Sequence, residues 1–187
     1  MSRKESITVK DITETAFELA RREGLQEVTA RKVAAKAGCS TQPIFRVYKN
    51  MEELQASVRE LAYVHFQTYY AHFSKCSQFP FVNLGMAYIA YASEEKNLFR
   101  LLFTDVTENG RSMYEILNGD KQNVGTEIHL AKSMGCKDPG ELFMRMWIFV
   151  HGAACMTLTD DYDLSGDETK ELLEKTYASY ILSEEKK

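Results

Sequence analysis

Apolar residues recur at helical spacing through most of this 187-residue chain. Ile12, Ala16 and Leu19 fall on one face of a helix predicted over about residues 6–22, and Gly24 ends it. No segment shows a sustained alternation of apolar and polar residues, and only three prolines interrupt the sequence. The pattern therefore predicts an all-α fold of about nine helices.

A pair of short helical patterns follows over residues 28–50. Gly38 can adopt the positive φ that ends the first helix of the pair. Ser40 is the predicted N-cap of the second helix, in which Ile44 and Phe45 are expected to pack inward. Two helices joined by a tight turn behind an amphipathic helix form a three-helix bundle of the helix-turn-helix kind, so DNA is the first partner to consider.

The rest of the pattern predicts longer helices separated by Gly, Asn, Asp and Pro signals. One helix continues over residues 51–73, and a break is expected over 74–80. Further helices are predicted over residues 81–93, 95–103, 139–159 and 167–182, with interruptions at 109–110, 118–120 and 137–140.

The segment from Ile12 to Leu54 resembles the DNA-binding domain of the TetR (tetracycline-repressor) family of bacterial transcription regulators. The likeness runs without a gap through the apolar first helix, Gly24, the segment ARKVAAKAGCS after its capping threonine, an aromatic-bearing recognition helix and NMEEL. It implies a helix-turn-helix DNA-binding domain over residues 1–54 and a larger helical domain for effector binding and dimerisation over residues 55–187.

A second resemblance lies in the C-terminal part. Trp147, His151 and Gly152 resemble the Trp-His-Gly motif of one C-terminal domain type among these regulators. Trp147 and His151 share a helical face, and Gly152 would let another helix approach closely. The resemblance implies a regulator that releases its operator when a small molecule binds, and repression is the commoner outcome in the family.

Charge differs between the two predicted domains. Residues 1–54 carry ten Lys or Arg against eight Asp or Glu, so with −4 overall the remainder carries −6. Only the N-terminal segment can therefore offer a cationic face to phosphate groups. The side chains expected at double-stranded DNA are Thr29, Arg31, Ser40, Thr41, Gln42, Pro43, Arg46, Tyr48 and Lys49.

These side chains suit different parts of the DNA. The forked donors of Arg31 fit a guanine edge, and Gln42 lies in the first turn of the recognition helix. Pro43 offers an apolar contact for a thymine methyl group. Phe45 and Val47 stand where the family commonly has a tyrosine and a histidine, so they cannot donate to phosphate, and the Tyr48 hydroxyl is considered in their place.

Aromatic residues of the middle and C-terminal regions suggest an effector site. The sequence has more rings than a small helical core needs, with methionines as adaptable wall material, although an aromatic stripe at helical spacing is more often core. An apolar or aromatic effector is expected. The predicted pocket residues are Phe66, Tyr70, Tyr88, Tyr91, Phe99, Phe103, Met113, Trp147 and His151.

A homodimer is expected because one recognition helix contacts too little DNA to be both tight and specific. The operator should then be a palindrome with half-sites roughly 34 Å apart. The apolar faces of the last two helices are the predicted dimer contact. Their residues are Trp147, Val150, Ala154, Leu172, Leu173, Tyr177, Tyr180 and Ile181.

Other classes of protein fit the sequence less well. The N-terminus has no signal-peptide pattern and the longest apolar stretch, residues 143–158, is broken by charge, so a cytoplasmic protein without a membrane partner is expected. His151 and Cys155 have the i, i+4 spacing of two metal ligands, but no clear further ligands follow, and neither a metal nor another cofactor is predicted. Dispersed histidines argue against an enzyme. The alternative is a helical small-molecule-binding protein or enzyme whose helix-turn-helix is only scaffold.

Overall fold

The computed structural model describes residues 7–105 and 124–185, which form nine helices and no strand. The all-α prediction is confirmed. A 3₁₀ turn at Leu25–Glu27 and a π-helical turn at Arg100–Thr104 supplement the helices. The helices are α1 (Val9–Glu23), α2 (Ala30–Lys36), α3 (Gln42–Val47), α4 (Met51–His72), α5 (Pro80–Glu94), α6 (Lys96–Phe99), α7 (Val124–Ser133), α8 (Pro139–Leu158) and α9 (Gly166–Glu185).

The helix predictions agree closely with these bounds. The last two helices begin and end within three residues of the positions expected, and α4 ends one residue early. The segment predicted as one helix over 95–103 is instead the short α6 followed by the π-helical turn. The interruptions expected at 109–110 and 118–120 lie outside the described residues.

The described chain forms two compact units. Unit 1 contains residues 7–66 and 97–105, and unit 2 contains residues 67–96 and 124–185. Because α4 runs through residue 54 without a break, the domain boundary expected there has no helix end to mark it and stays a prediction.

Unit 1 begins with a well-capped amphipathic helix. The Thr8 hydroxyl accepts the amide of Asp11 at 3.1 Å, and the Asp11 carboxylate accepts the amide of Thr8 at 2.8 Å. This capping box satisfies amides that have no partner within α1. Ile12 and Leu19 are buried, and Gly24 ends the helix with a φ of 95°.

Residues 97–105 are joined to the rest of unit 1 by hydrogen bonds between side chains and backbone carbonyls. The Asn97 side-chain amide donates to the carbonyl of Arg21 at 3.1 Å. The Arg59 guanidinium donates to the carbonyl of Leu101 at 2.8 Å, and burial lowers the pKa of Arg59. These bonds join a late segment of the chain to the first and fourth helices.

Unit 2 is built around α5, which packs against α8 and α9. Gly85 lies where the three helices come closest: a Cβ placed there would be 2.8 Å from Cγ2 of Val150 and 3.2 Å from Cδ1 of Leu173. By contrast, apart from its chain neighbours and the backbone of its own helix, nothing in the described chain lies within 4 Å of a Cβ placed at Gly152. The close crossing expected at Gly152 is therefore wrong within the single chain, and Gly85 provides it.

Polar groups fix the ends of α8 and α9. The Asp138 carboxylate caps α8, and Ser165 forms a reciprocal capping box with Glu168 at the start of α9. At the other end of α9, Glu184 accepts the amides of Lys137 and Asp138 at 3.0 and 2.8 Å. The end of α9 is thereby attached to the start of α8.

Burial corrects the predicted dimer faces. Most of the named side chains are packed inside the single chain, because the apolar stripes of α8 and α9 face α5 and each other. The buried residues are Val150, Ala154, Leu173, Tyr177 and Tyr180. The large apolar side chains that α8 and α9 expose are Met144, Ile148, Met156, Leu172 and Leu182.

Gly85→Ala should lower the free energy of unfolding by up to about 2 kcal/mol, because overpacking costs about 1–3 kcal/mol and alanine's helix propensity returns about 1 kcal/mol. Val150 is β-branched and cannot easily rotate away. Denaturant unfolding followed by the fluorescence of Trp147, the one tryptophan of the chain, would measure the loss. When Val150 is already alanine, Gly85→Ala should no longer lower the free energy of unfolding. If the loss is the same with and without Val150→Ala, Gly85 is not the close contact between α5 and α8.

Candidate nucleic-acid interface and effector-binding region

The turn between α2 and α3 has the predicted local geometry. The Thr29 hydroxyl accepts the amide of Lys32 at 3.3 Å and caps α2. Gly38 has a φ of 69°, and the amide of Cys39 donates to the carbonyl of Ala34 at 3.0 Å. The positive φ lets the chain leave α2 abruptly and enter α3.

The start of α3 differs from the prediction. Its N-cap is Thr41, and no side chain caps the helix, so the predicted Ser40 cap is wrong. Pro43 has no amide hydrogen to donate, and the amide of Ile44 is bonded to the carbonyl of Thr41 at 3.2 Å. The first turn therefore has little need of a side-chain acceptor, and Ser40 remains exposed.

The inner face of α3 also corrects one expectation. Ile44 is fully buried as predicted, but Phe45 is 50% exposed, so its inward packing is wrong. Residues four apart share a helical face, whereas adjacent residues do not. The partner of Ile44 on the inner face is Tyr48, which is also buried.

Tyr48 is attached to α1. Its hydroxyl lies 2.6 Å from the hydroxyl of Thr13 and forms a hydrogen bond with it. The Tyr48 hydroxyl was considered for phosphate contact, but in this structure it is used within unit 1. We therefore leave Tyr48 out of the proposed DNA interface and treat it as the residue that positions α3.

The side chains opposite this inner face are accessible. Gln42, Arg46 and Lys49 are exposed, as is Arg31 at the start of α2. Thr41 and Pro43 are half-buried, and Thr29 is exposed. The structure thus brings the sequence-predicted set, apart from Tyr48, to the surface around the two short helices.

Ion pairs distinguish the cations near this surface. Lys32 is held by Glu23 at 2.9 Å and by Glu27, and these two carboxylates raise its pKa, Glu27 more than Glu23. Lys49 lies 3.8 Å from Glu53. Within the described chain, Arg31 and Arg46 have no ion pair. Among the predicted contact residues, these two arginines are therefore the cations without a carboxylate partner.

The predicted effector residues fall into two groups. In unit 1, the ring of Phe103 contacts the ring of Phe66 edge to face, with centroids 5.2 Å apart, and the ring of Phe99 at 5.0 Å. Phe66 and Phe99 are buried, so this group is a packed aromatic cluster of unit 1. Met113 lies outside the described residues.

In unit 2, a polar and aromatic cluster forms around His151. The Tyr88 hydroxyl lies 3.0 Å from Nδ1 of His151, and the Trp147 ring stacks on the imidazole with centroids 5.4 Å apart. The thiol of Cys155 lies 3.6 Å from Nε2. Burial lowers the pKa of His151 and raises that of Tyr88, so both side chains are uncharged at neutral pH.

The remaining predicted tyrosines of unit 2 have separate partners. Tyr91 is buried against the ring of Tyr69 at 5.1 Å. The Tyr70 hydroxyl donates to Oε1 of Glu127 at 2.6 Å. Glu127 is buried, which raises its pKa, and its Oε2 has no hydrogen-bond partner among the described residues. Glu127 was not predicted as a functional residue, although its i, i+4 register with the buried Ala131 could have indicated an inward face.

A shallow apolar groove lies between α5 and α8. The space that it encloses is small, about 10 Å³, which is roughly the room that one water molecule needs. Of the residues in its wall, only Trp147 was predicted from the sequence to contact an effector. The other wall residues were missed because α5 is apolar on almost every side, so no single face of it stood out. The lining residues are Phe81, Leu84, Gly85, Phe143, Met146, Trp147 and Val150.

Across residues 7–105 and 124–185, no three His, Cys, Asp or Glu side chains are grouped so that they could hold a metal ion. Among the described helices, none combines the length and the apolar character needed to cross a membrane.

The fold is that of TetR-like transcriptional regulators. A TetR-like transcriptional regulator from Rhodococcus sp. RHA1 matches with a TM-score of 0.63 and 15% identity over 90% of this chain and 92% of that one. A second transcriptional regulator from Rhodococcus sp. RHA1 gives 0.61 and 11% identity over 95% and 97%. The multidrug binding protein EbrR, complexed with imidazole, gives 0.54 and 14% identity over 89% and 93%.

The sequence comparison locates the likeness in unit 1. Residues 12–58 match the family model described as "Bacterial regulatory proteins, tetR family". No protein of curated function matches the sequence. The family-model match thus lies in the N-terminal helices, and the solved structures share the fold.

The lowered pKa of His151 predicts a pH effect on stability. An unfolded histidine holds its proton more tightly, so the contribution of His151 is complete above about pH 6.5 and is lost as the pH falls through the folded-state pKa. His151→Gln can still bond Tyr88 but does not titrate. The stability of the wild-type protein relative to this variant should therefore be greater at about pH 7.5 than at about pH 5. Urea unfolding at both pH values would test this, and a pH-independent difference would contradict it.

Proposed function

We propose that this chain is a cytoplasmic TetR-type repressor that binds a palindromic operator as a homodimer and releases it when a small apolar or aromatic effector binds unit 2. The observation that carries the proposal is the exposed face of α3. Gln42 and Arg46 stand one helical turn apart there, opposite the buried Ile44 and Tyr48. An amide and a guanidinium are the groups that form paired hydrogen bonds with adenine and guanine edges in the major groove.

A homodimer follows from the DNA-binding mode and from the surface of unit 2. Two copies related by a two-fold axis would read two half-sites of a palindrome. Ile148 is 68% exposed on α8, and the space beside Gly152 on the same helix is open. A self-complementary contact would bury this apolar surface. The Trp-His-Gly type of C-terminal domain is part of the same proposal.

The groove between α5 and α8 is the proposed effector site. Its wall is apolar and aromatic, and the uncharged Tyr88 and His151 lie beside Trp147 at one end. Such a surface favours a planar apolar compound over a charged metabolite. To act as a switch, the effector must prefer the non-binding state of the dimer by about 1–3 kcal/mol.

Gln42→Ala and Arg46→Ala should each reduce the preference for the operator over random duplex by about 10–100-fold, because each removes a paired base contact. The operator would be obtained by selecting a randomised duplex pool with the full-length protein, and affinities would be measured by fluorescence anisotropy at fixed salt. Lys10→Ala, which removes an exposed cation of α1, should leave the preference unchanged.

The proposed dimer is tested on the same set of variants by light scattering. Both α3 variants should remain dimers, whereas Ile148→Glu should give monomers that bind the operator weakly. Leu130→Glu changes another exposed apolar residue of unit 2 and should remain dimeric. If the selection yields no preferred site, or if preference survives both α3 substitutions, the proposed reading face is wrong. The first result would favour a small-molecule-binding protein or enzyme whose helix-turn-helix is scaffold.

Brominated aromatics such as bromobenzene and bromonaphthalene should quench the fluorescence of Trp147 at concentrations that also release the operator. Bromine quenches tryptophan only at close range, so the signal reports binding at the groove. As a control, Trp147→Phe combined with Phe17→Trp moves the single tryptophan to unit 1, where no saturable quenching is expected. Quenching without any change in operator affinity would contradict the switch.

A further inference from the structure

The recognition helix exposes two apolar side chains that the proposed function does not use. Phe45 is 50% exposed and Val47 is 39% exposed. Neither can hydrogen-bond to a phosphate group. No rotation of α3 could bury them without exposing Ile44 and Tyr48, which form the packed inner face. Their exposure is therefore a fixed feature of the helix-turn-helix rather than loose packing.

Helix geometry places these two residues on opposite flanks of the reading face. Successive residues of an α-helix are rotated by about 100°. With Ile44 and Tyr48 defining the inward direction, Gln42 and Arg46 point outward. Phe45 then falls on one side of the outward direction and Val47 on the other. The exposed face of α3 is thus a polar centre with an apolar border on each side.

The surroundings favour DNA as the occupant of this face. Arg31 and Arg46 are exposed and have no ion pair within the described chain. An apolar protein partner would leave these guanidinium groups desolvated without a counter-charge, which is costly. DNA supplies phosphates for the cations and base edges for Gln42. The apolar group that the edge of the major groove presents is the C5-methyl group of thymine.

We infer that Phe45 and Val47 read thymine methyl groups on either side of the bases contacted by Gln42 and Arg46. The inference rests on the proposed function and adds a second source of sequence preference. Burial of a methyl group against an apolar side chain releases water from both surfaces. Each operator half-site should accordingly carry thymines flanking its central contacts.

The test replaces thymine by deoxyuridine, which removes the methyl group and leaves the base-pair hydrogen bonds intact. The duplexes are those selected by the full-length protein from the randomised pool. For the wild-type protein, each replacement at a contacted thymine should weaken binding about fourfold, the effect of one buried methyl group. With Phe45→Ala or Val47→Ala, the replacement at the thymine read by that residue should have no further effect.

Two further variants serve as controls for the deoxyuridine experiment. Phe45→Leu keeps an apolar side chain and should retain part of the methyl effect. Val9→Ala removes an apolar side chain of α1 that is 51% exposed. Replacing thymine by deoxyuridine should weaken the binding of this variant as much as that of the wild-type protein.

The outcomes separate the inference from the function on which it rests. A preferred site with no thymine beside the central contacts would overturn the inference and leave the regulator intact. The inference is also overturned if deoxyuridine lowers the DNA affinity of the wild-type protein and of both alanine variants equally. If no duplex is enriched at all, the proposed function fails and the inference fails with it.

Discussion

The attachment of α3 to the rest of unit 1 determines everything that the candidate interface can do. A helix of six residues is not stable alone in water, because helix nucleation is unfavourable and few intrahelical bonds can form. Ile44 holds it by burial, and Tyr48 holds it by burial and by the hydroxyl pair with Thr13. These two anchors fix the rotation of the helix, and the rotation decides which side chains face outward.

Much of this could be predicted from the sequence where the signal is local. Helical periodicity located most of the helices to within a few residues but missed α7, and Thr29 and Gly38 mark the limits of α2 because caps and positive φ depend on adjacent residues. The Ser40 cap and the inward Phe45 were wrong for a shared reason. Each depends on how a very short helix is placed: α3 begins one residue later than expected, and a six-residue helix has too few apolar positions to show whether Phe45 or Tyr48 joins Ile44 on its inner face.

The candidate sites of unit 2 were harder to predict because burial there is a property of three packed helices. The apolar stripes of α8 and α9 looked like surfaces for a second copy, yet α5 covers most of them. Gly152 was expected at a close crossing that Gly85 provides. Sequence periodicity shows that a face is apolar, but it does not show whether the same chain or another molecule covers it. The pairing of Trp147 with His151 was predictable from its i, i+4 spacing, whereas the hydrogen bond between His151 and Tyr88, which lie on different helices, was not.

The double ion pair of Lys32 affects how the protein would search a genome. Attraction to arbitrary DNA comes mainly from the release of condensed counterions, and binding weakens with salt by a logarithmic slope of about −0.9 per neutralised phosphate. Lys32 is already neutralised by Glu23 and Glu27, and Lys49 lies near Glu53, so neither adds fully to that attraction. Among the described residues of unit 1 these ion pairs leave fewer cations for phosphate groups, and such an interface would stay only briefly on unrelated sequence. Such a protein would find its sites by repeated dissociation and return rather than by long one-dimensional sliding.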